Sequence, residues 1–261
     1  MKESKAVWDN FWSKYQFQAK QNQQIIRQEL SSVRWKKMEE RIIRRYGSWN
    51  GLNVAEIGSG RGEVSAIMAL KGACVTLIDY SEIALDKARV LFKDIGAQAK
   101  FVNADIMHIS KTLLNTFDIT MSFGLAEHFN YPLRSDVIKI HANLLKSDGI
   151  SFIAVPNVNC LPYRLFMKLS QILGYSSQGL EIPFSRSELK KIAISTGFKT
   201  YEIIGSSFIR DTFYFLFSRY ISHLTKWRLI IDTGVFEIPS FLDNYFGYSL
   251  VLIGAKTEKF S

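Results

Sequence analysis

Cysteine is scarce in this 261-residue chain, with Cys74 and Cys160 its only two. Two thiols make neither a disulfide framework nor a metal-binding spacing, so no metal is expected. A reducing, cytoplasmic location is the expectation. Cys74 falls in an apolar run and reads as a small buried hydrophobe. Proline is nearly as thin, with five residues, and no Pro/Gly/Ser-rich linker, low-complexity tract or internal repeat divides the chain. No uncharged apolar run reaches about 18 residues, so no spanning helix is expected. Met1-Lys2-Glu3-Ser4-Lys5 lacks the apolar stretch of a signal peptide. The hydrophobic content of 47% is nevertheless ample for a real core rather than disorder. The length allows one or two domains, and a single α/β domain with additions fits.

Acids are in the minority, and the formal net charge is +9. Arg27, Arg34, Lys36, Lys37, Arg41, Arg44 and Arg45 concentrate the excess in residues 27–45. Such a patch could meet nucleic acid, an anionic membrane surface or an acidic substrate. Glu29, Glu39 and Glu40 interleave with the cations and favour a solvated helix face instead.

The chemistry starts at residues 54–62, Val-Ala-Glu-Ile-Gly-Ser-Gly-Arg-Gly. Residues 54–57 read as a buried strand. Gly58, Gly60 and Gly62 let the backbone turn sharply and approach a ligand without Cβ clashes. The helix that follows aims its free N–H groups at that turn. A second strand, 73–79, ends in Asp79, an acid placed to accept both hydroxyls of a ribose. A nucleoside cofactor is implied. A dinucleotide fingerprint would put a third glycine or an alanine where Glu63 stands. A carboxylate there repels a pyrophosphate, and Glu56 adds a second negative group, so the site suits a ligand with a cationic end.

Residues 56–62, acid-x-Gly-x-Gly-x-Gly, resemble the first motif of the class I S-adenosylmethionine-dependent methyltransferases. Further matches follow in order: Asp79-Tyr80, Asn103-Ala104-Asp105-Ile106, the strand from Phe117 to Gly124, then Leu125-Ala126-Glu127-His128-Phe129, and Asp148-Gly149 before a strand at 150–155 with Pro156-Asn157. The likeness is close over 51–157 and loose over 185–256. It implies an α/β, doubly wound, Rossmann-like sheet of seven strands, mostly parallel with the last antiparallel. Strands 198–204 and 248–255 would complete it. The alternation of strands and helices supports the same class. The resemblance also implies roles. Gly58, Ser59 and Gly60 present backbone to the methionyl and ribose parts of S-adenosylmethionine, and Glu56 meets its ammonium. Asp79 takes the ribose hydroxyls with Tyr80 beside it. Asp105 takes the adenine amine with Ile106 on the ring. The backbone of Ser122, Phe123 and Gly124 lines the methionyl end.

Flanking segments frame this motif core. Residues 18–46 read as one or two helices on the stripe Ile26, Leu30, Val33, Ile42 and Tyr46, with Gly47 as the stop. Trp8, Phe11, Trp12, Tyr15 and Phe17 form an aromatic cluster before them. By the resemblance, the N-terminal helices (1–50) form a cap over the cofactor cleft of a methyltransferase domain at 51–261. Ser81 caps a helix to Ile95, and Ser185-x-x-Glu188 is a capping box with Phe184 and Leu189 as its staple. Two insertions, at about 158–184 and 206–247, are apolar or aromatic-rich. A lid roofing an apolar substrate pocket is the first reading. A homodimer interface and peripheral membrane contact are the alternatives.

His128 is the candidate base, since an unperturbed imidazole can accept a hydroxyl proton near neutral pH. A structural histidine at a helix start is the more common arrangement and is weighted above it. His108, His141 and His223 show no partner pattern. Nucleic-acid amine methyltransferases carry Asn/Asp-Pro-Pro-aromatic where this chain has Ser122-Phe123-Gly124-Leu125, so nucleic acid is disfavoured as a partner. The two-glutamate hairpin of protein arginine methyltransferases is not found. The expectation is methyl transfer to a small apolar or aromatic acceptor, oxygen favoured. A non-catalytic cofactor-binding scaffold and a nucleic-acid methyltransferase are the alternatives. The intact acids Glu56, Asp79 and Asp105 argue against a scaffold.

Overall fold

The computed structural model describes residues 5–14, 19–172, 181–215 and 237–258. Tyr15, Phe17, His223 and much of the second insertion lie outside them. Valine, isoleucine and leucine runs bounded by glycine turns give seven strands: β1 Asn53–Ile57, β2 Cys74–Asp79, β3 Lys100–Asn103, β4 Phe117–Phe123, β5 Leu145–Pro156, β6 Thr200–Gly205 and β7 Ser249–Ala255. They form one sheet in the order β3-β2-β1-β4-β5-β7-β6. The first five pair in parallel, and β7 lies antiparallel between β5 and β6. This is the doubly wound, Rossmann-like sheet, mostly parallel with an antiparallel last strand.

Successive strand residues face opposite sides, so each strand feeds two cores. Val54, Leu77, Ile119, Phe152 and Ile253 join one core, with helices α2 (Ala19–Ser31), α3 (Val33–Tyr46), α4 (Glu63–Leu70) and α5 (Glu82–Ile95) over it. Ala55, Ile78, Ile153 and Leu252 join the other, beneath α6 (Leu133–Leu144) and α8 (Arg186–Ser195). Helix α1 (Lys5–Lys14) packs on α5, and α7 (Leu161–Ile172) packs on α9 (Phe208–Phe213).

Caps punctuate these helices as expected. Ser81 Oγ accepts from the Ala84 N–H, and Ser185 Oγ from that of Glu188. Residues 19–46 form two helices, because Ser32 turns extended and caps a new one at Trp35 N. That break interrupts the apolar stripe. Ile26, Val33 and Ile42 are buried, whereas Leu30 is exposed. The basic patch is laced with acids of its own, Arg34 pairing with Glu29 and Arg44 with Glu40, and with acids from elsewhere, Arg41 pairing with Glu202 and Lys37 with Asp243.

Three expectations are corrected. Cys74 is exposed, because burial along β2 begins only at its second residue, Val75. β5 starts at Leu145, where it pairs with Phe117 ahead of a register shift, so Asp148-Gly149 lies within it. β6 starts at Thr200, and Phe198 packs instead beneath Gly254, whose absent side chain makes room for the ring.

Gly62, at φ +70°, begins α4, and a Cβ there would fall 2.2 Å from Leu77 Cδ2. Gly62→Ala therefore strains the backbone and overpacks the core. We expect it to lower stability by about 2–4 kcal/mol, read as a lower urea midpoint.

Candidate active site

Strands β1, β2 and β4 end on one side of the sheet, and a cavity of about 430 Å³ opens over their ends. Its floor is the glycine turn. Gly58 and Gly60 have φ of +60° and +52°, and the N–H groups of Gly58 and Ser59 both donate to Ile78 O. Asp79, only 7% exposed, fixes the geometry: Oδ2 accepts from Gly60 N at 2.8 Å and Oδ1 from Ser81 N at 2.9 Å. Burial raises its carboxyl above the usual carboxylate range, while the Ser81 and Gly60 N–H groups pull it down. The Tyr80 N–H pulls the same way, and a carboxylate, with about four lone-pair sites, can still accept a further donor.

Glu56 faces the cavity and ties β1 to α4, with Oε2 accepting from Ser65 Oγ at 2.6 Å. Burial pushes its carboxyl up to about 8 against the Ser65 hydrogen bond. Asp105 Oδ1 accepts from Met107 N, capping a short 3₁₀ turn, Ile106–His108. Tyr80, Ile106, Phe123 and Gly124 complete the wall. Ser122 does not reach it. Its side chain is buried on the other side of β4, in keeping with strand alternation.

Across the cavity stand Glu127, His128, Phe129, Glu181 and Tyr248. The His128 ring meets Trp8 edge-on, with centroids 4.7 Å apart. Trp8, Phe11 and Trp12 of α1 all line the cavity. The space a Gly60 Cβ would need is taken by the Trp12 ring, 2.6 Å away. Asp9 accepts from Ser81 Oγ at 2.5 Å and ties α1 to the cap of α5. The described parts of the two insertions meet through Tyr163, Phe215 and Tyr248, with Tyr163 and Tyr248 centroids 4.9 Å apart.

Of the expected site residues, Glu56, Gly58, Ser59, Gly60, Asp79, Tyr80, Asp105, Ile106, Phe123 and His128 converge on this cavity, and Ser122 does not. Sequence reasoning missed Arg61, Glu29 and Arg34, and Glu181 and Tyr248. Arg61, buried at a variable position of the glycine motif, donates to Asn22 of α2. Glu181 arrives because Phe184 bridges to Asn157 beside β5. No local pattern announces either contact. His141 is fully buried, and burial depresses it to about 3. Among the described residues, no cluster of three or more His, Cys, Asp or Glu could hold a metal, and no helix is long and apolar enough to cross a membrane.

A family model described as a methyltransferase domain matches residues 54–149. The ubiquinone biosynthesis O-methyltransferase of Aromatoleum aromaticum is 32% identical over 171 residues, spanning 64% of this chain and 72% of that one. This chain belongs to the class I S-adenosylmethionine-dependent methyltransferases. The methyltransferase is also 28% identical, over 163 residues, to the ubiquinone biosynthesis O-methyltransferase of Dechloromonas aromatica, across 60% of this chain and 69% of that one. Its fold resembles that of magnesium protoporphyrin IX methyltransferase from Synechocystis PCC 6803 with bound S-adenosylhomocysteine: TM-score 0.59, 16% identity, 97% of this chain and 93% of that one. As a member of its family, the enzyme takes its methyl group from S-adenosylmethionine.

Burial also pushes the Glu127 carboxyl up to about 8, with Glu181 adding to the shift. Between about pH 4.5 and 8 the folded carboxyl holds its proton and the unfolded one does not, so this group's stabilisation is lost as pH rises. The melting temperature of Glu127→Gln should fall less than that of the wild type from pH 5 to pH 8, by about 2–4 °C per kcal/mol removed.

Proposed function

We propose that the enzyme methylates an oxygen of a small acceptor with an apolar or aromatic body, bound beneath α1 and the α7–α9 segments. The observation that carries this reading is the carboxylate of Asp79, pinned by two backbone N–H groups at the cavity floor with lone pairs to spare. That arrangement suits two vicinal ribose hydroxyls. The acids at Glu56 and Asp105 fit the rest of the same cofactor, one facing an ammonium and the other an adenine amine. Gly58 and Gly60 supply approachable backbone, since a Cβ on either would meet Leu125 or Trp12. The aromatic rings of α1 support its reading as a cap, and the Tyr163–Phe215–Tyr248 packing supports a lid. The O-methyltransferase names of the relatives favour oxygen as the acceptor atom. A cytoplasmic location goes with the same reading.

S-adenosylmethionine, when bound, supplies an activated methyl group. The chain then has to align the acceptor with the methyl carbon and sulfur and keep water out. Trp8, Phe11 and Trp12 wall one side of the cavity with apolar surface. A hydroxyl acceptor must also lose its proton, and His128, in the short 3₁₀ turn after β4 and lining the same cavity, is the residue we assign to accept it.

Titration with S-adenosylhomocysteine tests the cofactor site. Asp79→Ala should weaken binding at least about 100-fold, on the basis of two lost charge-assisted hydrogen bonds, and NAD should not bind. Wild-type affinity in a folded Asp79→Ala protein would refute the assignment. His128→Ala should lower kcat on a hydroxylated acceptor by about 10²–10⁴ while S-adenosylhomocysteine affinity holds. An unchanged kcat would leave His128 structural.

A further inference from the structure

The cavity is acidic although the chain as a whole is strongly basic. Seven carboxylate residues line it against two arginines, Arg34 and Arg61. Five of the seven are accounted for. Glu29 pairs with Arg34 at 2.7 Å, and Glu63 lies 3.7 Å from Arg61. Glu56, Asp79 and Asp105 are tied to the turns they brace and fall to the cofactor in the reading above. Glu127 and Glu181 remain.

These two differ from a surface acidic cluster. Glu127 is only 3% exposed, and its Oε2 is buried with no hydrogen-bond partner among the described residues. An unsatisfied buried acceptor is costly, and one facing a cavity is satisfied most simply by a ligand's donor. The neighbouring cation, Arg134, favours the charged form of Glu127 through space but is no hydrogen-bond partner of that Oε2. Its Nη2 donates to Ile182 O, its Nε lies 3.3 Å from Glu188, and its guanidinium stacks 3.4 Å from the Phe184 ring. Glu181 is held in place by the Tyr163 hydroxyl, which donates to its Oε2 at 2.5 Å. Tyr163 packs on Tyr248, and Tyr248 with Trp8 and Phe129 presents aromatic surface to the same cavity. On its own the Glu127 carboxyl holds its proton at neutral pH. A cation seated beside it would displace that proton to solvent, and aromatic faces beside the resulting pair of carboxylates form a receptor for a desolvated organic cation.

We propose that Glu127 and Glu181 form a cation-recognising corner of the acceptor site, and that the acceptor carries a protonated nitrogen seated there, away from the oxygen that is methylated. This assignment rests on the cofactor reading only in giving Glu56, Asp79 and Asp105 to the cofactor. The corner selects for ammonium-bearing acceptors and against carboxylate-bearing ones of equal shape.

The test uses the whole protein saturated with S-adenosylhomocysteine and three isosteric probes, benzylammonium, benzyl alcohol and benzoate, followed by ligand-observed NMR titration. Benzylammonium should bind about 10-fold or more tighter than benzyl alcohol, as a charge-assisted hydrogen bond allows, with benzoate weakest. Glu181→Gln, at a half-buried position that tolerates the change, should shrink that preference about 10-fold. Glu127→Gln, checked for folding by circular dichroism, should do the same. Equal binding of ammonium and alcohol, no binding of benzylammonium, or a preference surviving both variants would overturn the proposal. Loss of S-adenosylhomocysteine binding with the ammonium preference intact would instead strike the cofactor reading and leave this corner standing.

Discussion

The site depends on one carboxylate accepting two backbone N–H groups. Asp79 closes β2, yet its oxygens reach Gly60 in the turn after β1 and Ser81 at the start of α5. Three chain segments are thereby held to one point by charge-assisted bonds in a buried setting, where such bonds are strongest. Gly58 and Gly60 accept the left-handed backbone that the turn requires. Ser81 in turn holds Asp9, so the same node reaches the aromatic helix α1. Burial works against the charge on Asp79, and the hydrogen bonds offset it. A ligand bringing hydroxyl donors would complete that compensation.

Legibility followed the range of the interactions. The glycine turn, Asp79, Asp105 and the helix caps rest on contacts within one turn or between adjacent parallel strands. Local spacing therefore announced the glycine turn, Asp79 and the caps, as Ser81 and Ser185 show by accepting from the N–H three residues on, whereas Asp105 was legible by resemblance. The antiparallel β7 was legible by resemblance rather than by pattern, because both faces of it are buried and its run is continuously apolar. Side-chain direction was less legible. Ser122 and Phe123 are neighbours in sequence, but strand alternation gives only one of them to the cavity. Cys74 sits in an apolar run, but burial starts one residue later. Least legible were contacts across long sequence separations. Arg61 with Asn22, or Glu181 brought in by the Phe184 bridge, depends on where helices and returns lie in three dimensions.

Charge is segregated by depth. Cations of α3 lie toward the surface, and two of them pair with acids from other elements, Arg41 with Glu202 of β6 and Lys37 with Asp243. Carboxylates concentrate inward, around the strand ends. An interior of that sign lowers the energy of positive charge on whatever occupies it. For a methyl donor that starts as a sulfonium and ends neutral, the same field would favour binding of the loaded form over the spent one.

Cys74 has a practical consequence. It is the exposed thiol of the pair, whereas Cys160 is buried with its thiol pushed up to about 12. A maleimide dye or spin label would therefore react at a single position. That position begins β2, and Asp79 ends it, so at about 3.3 Å per residue the reporter stands about 17 Å from the cofactor floor, at the opposite rim of the sheet. The native chain thus carries a single attachment point remote from the cofactor floor, with no cysteine to add or remove.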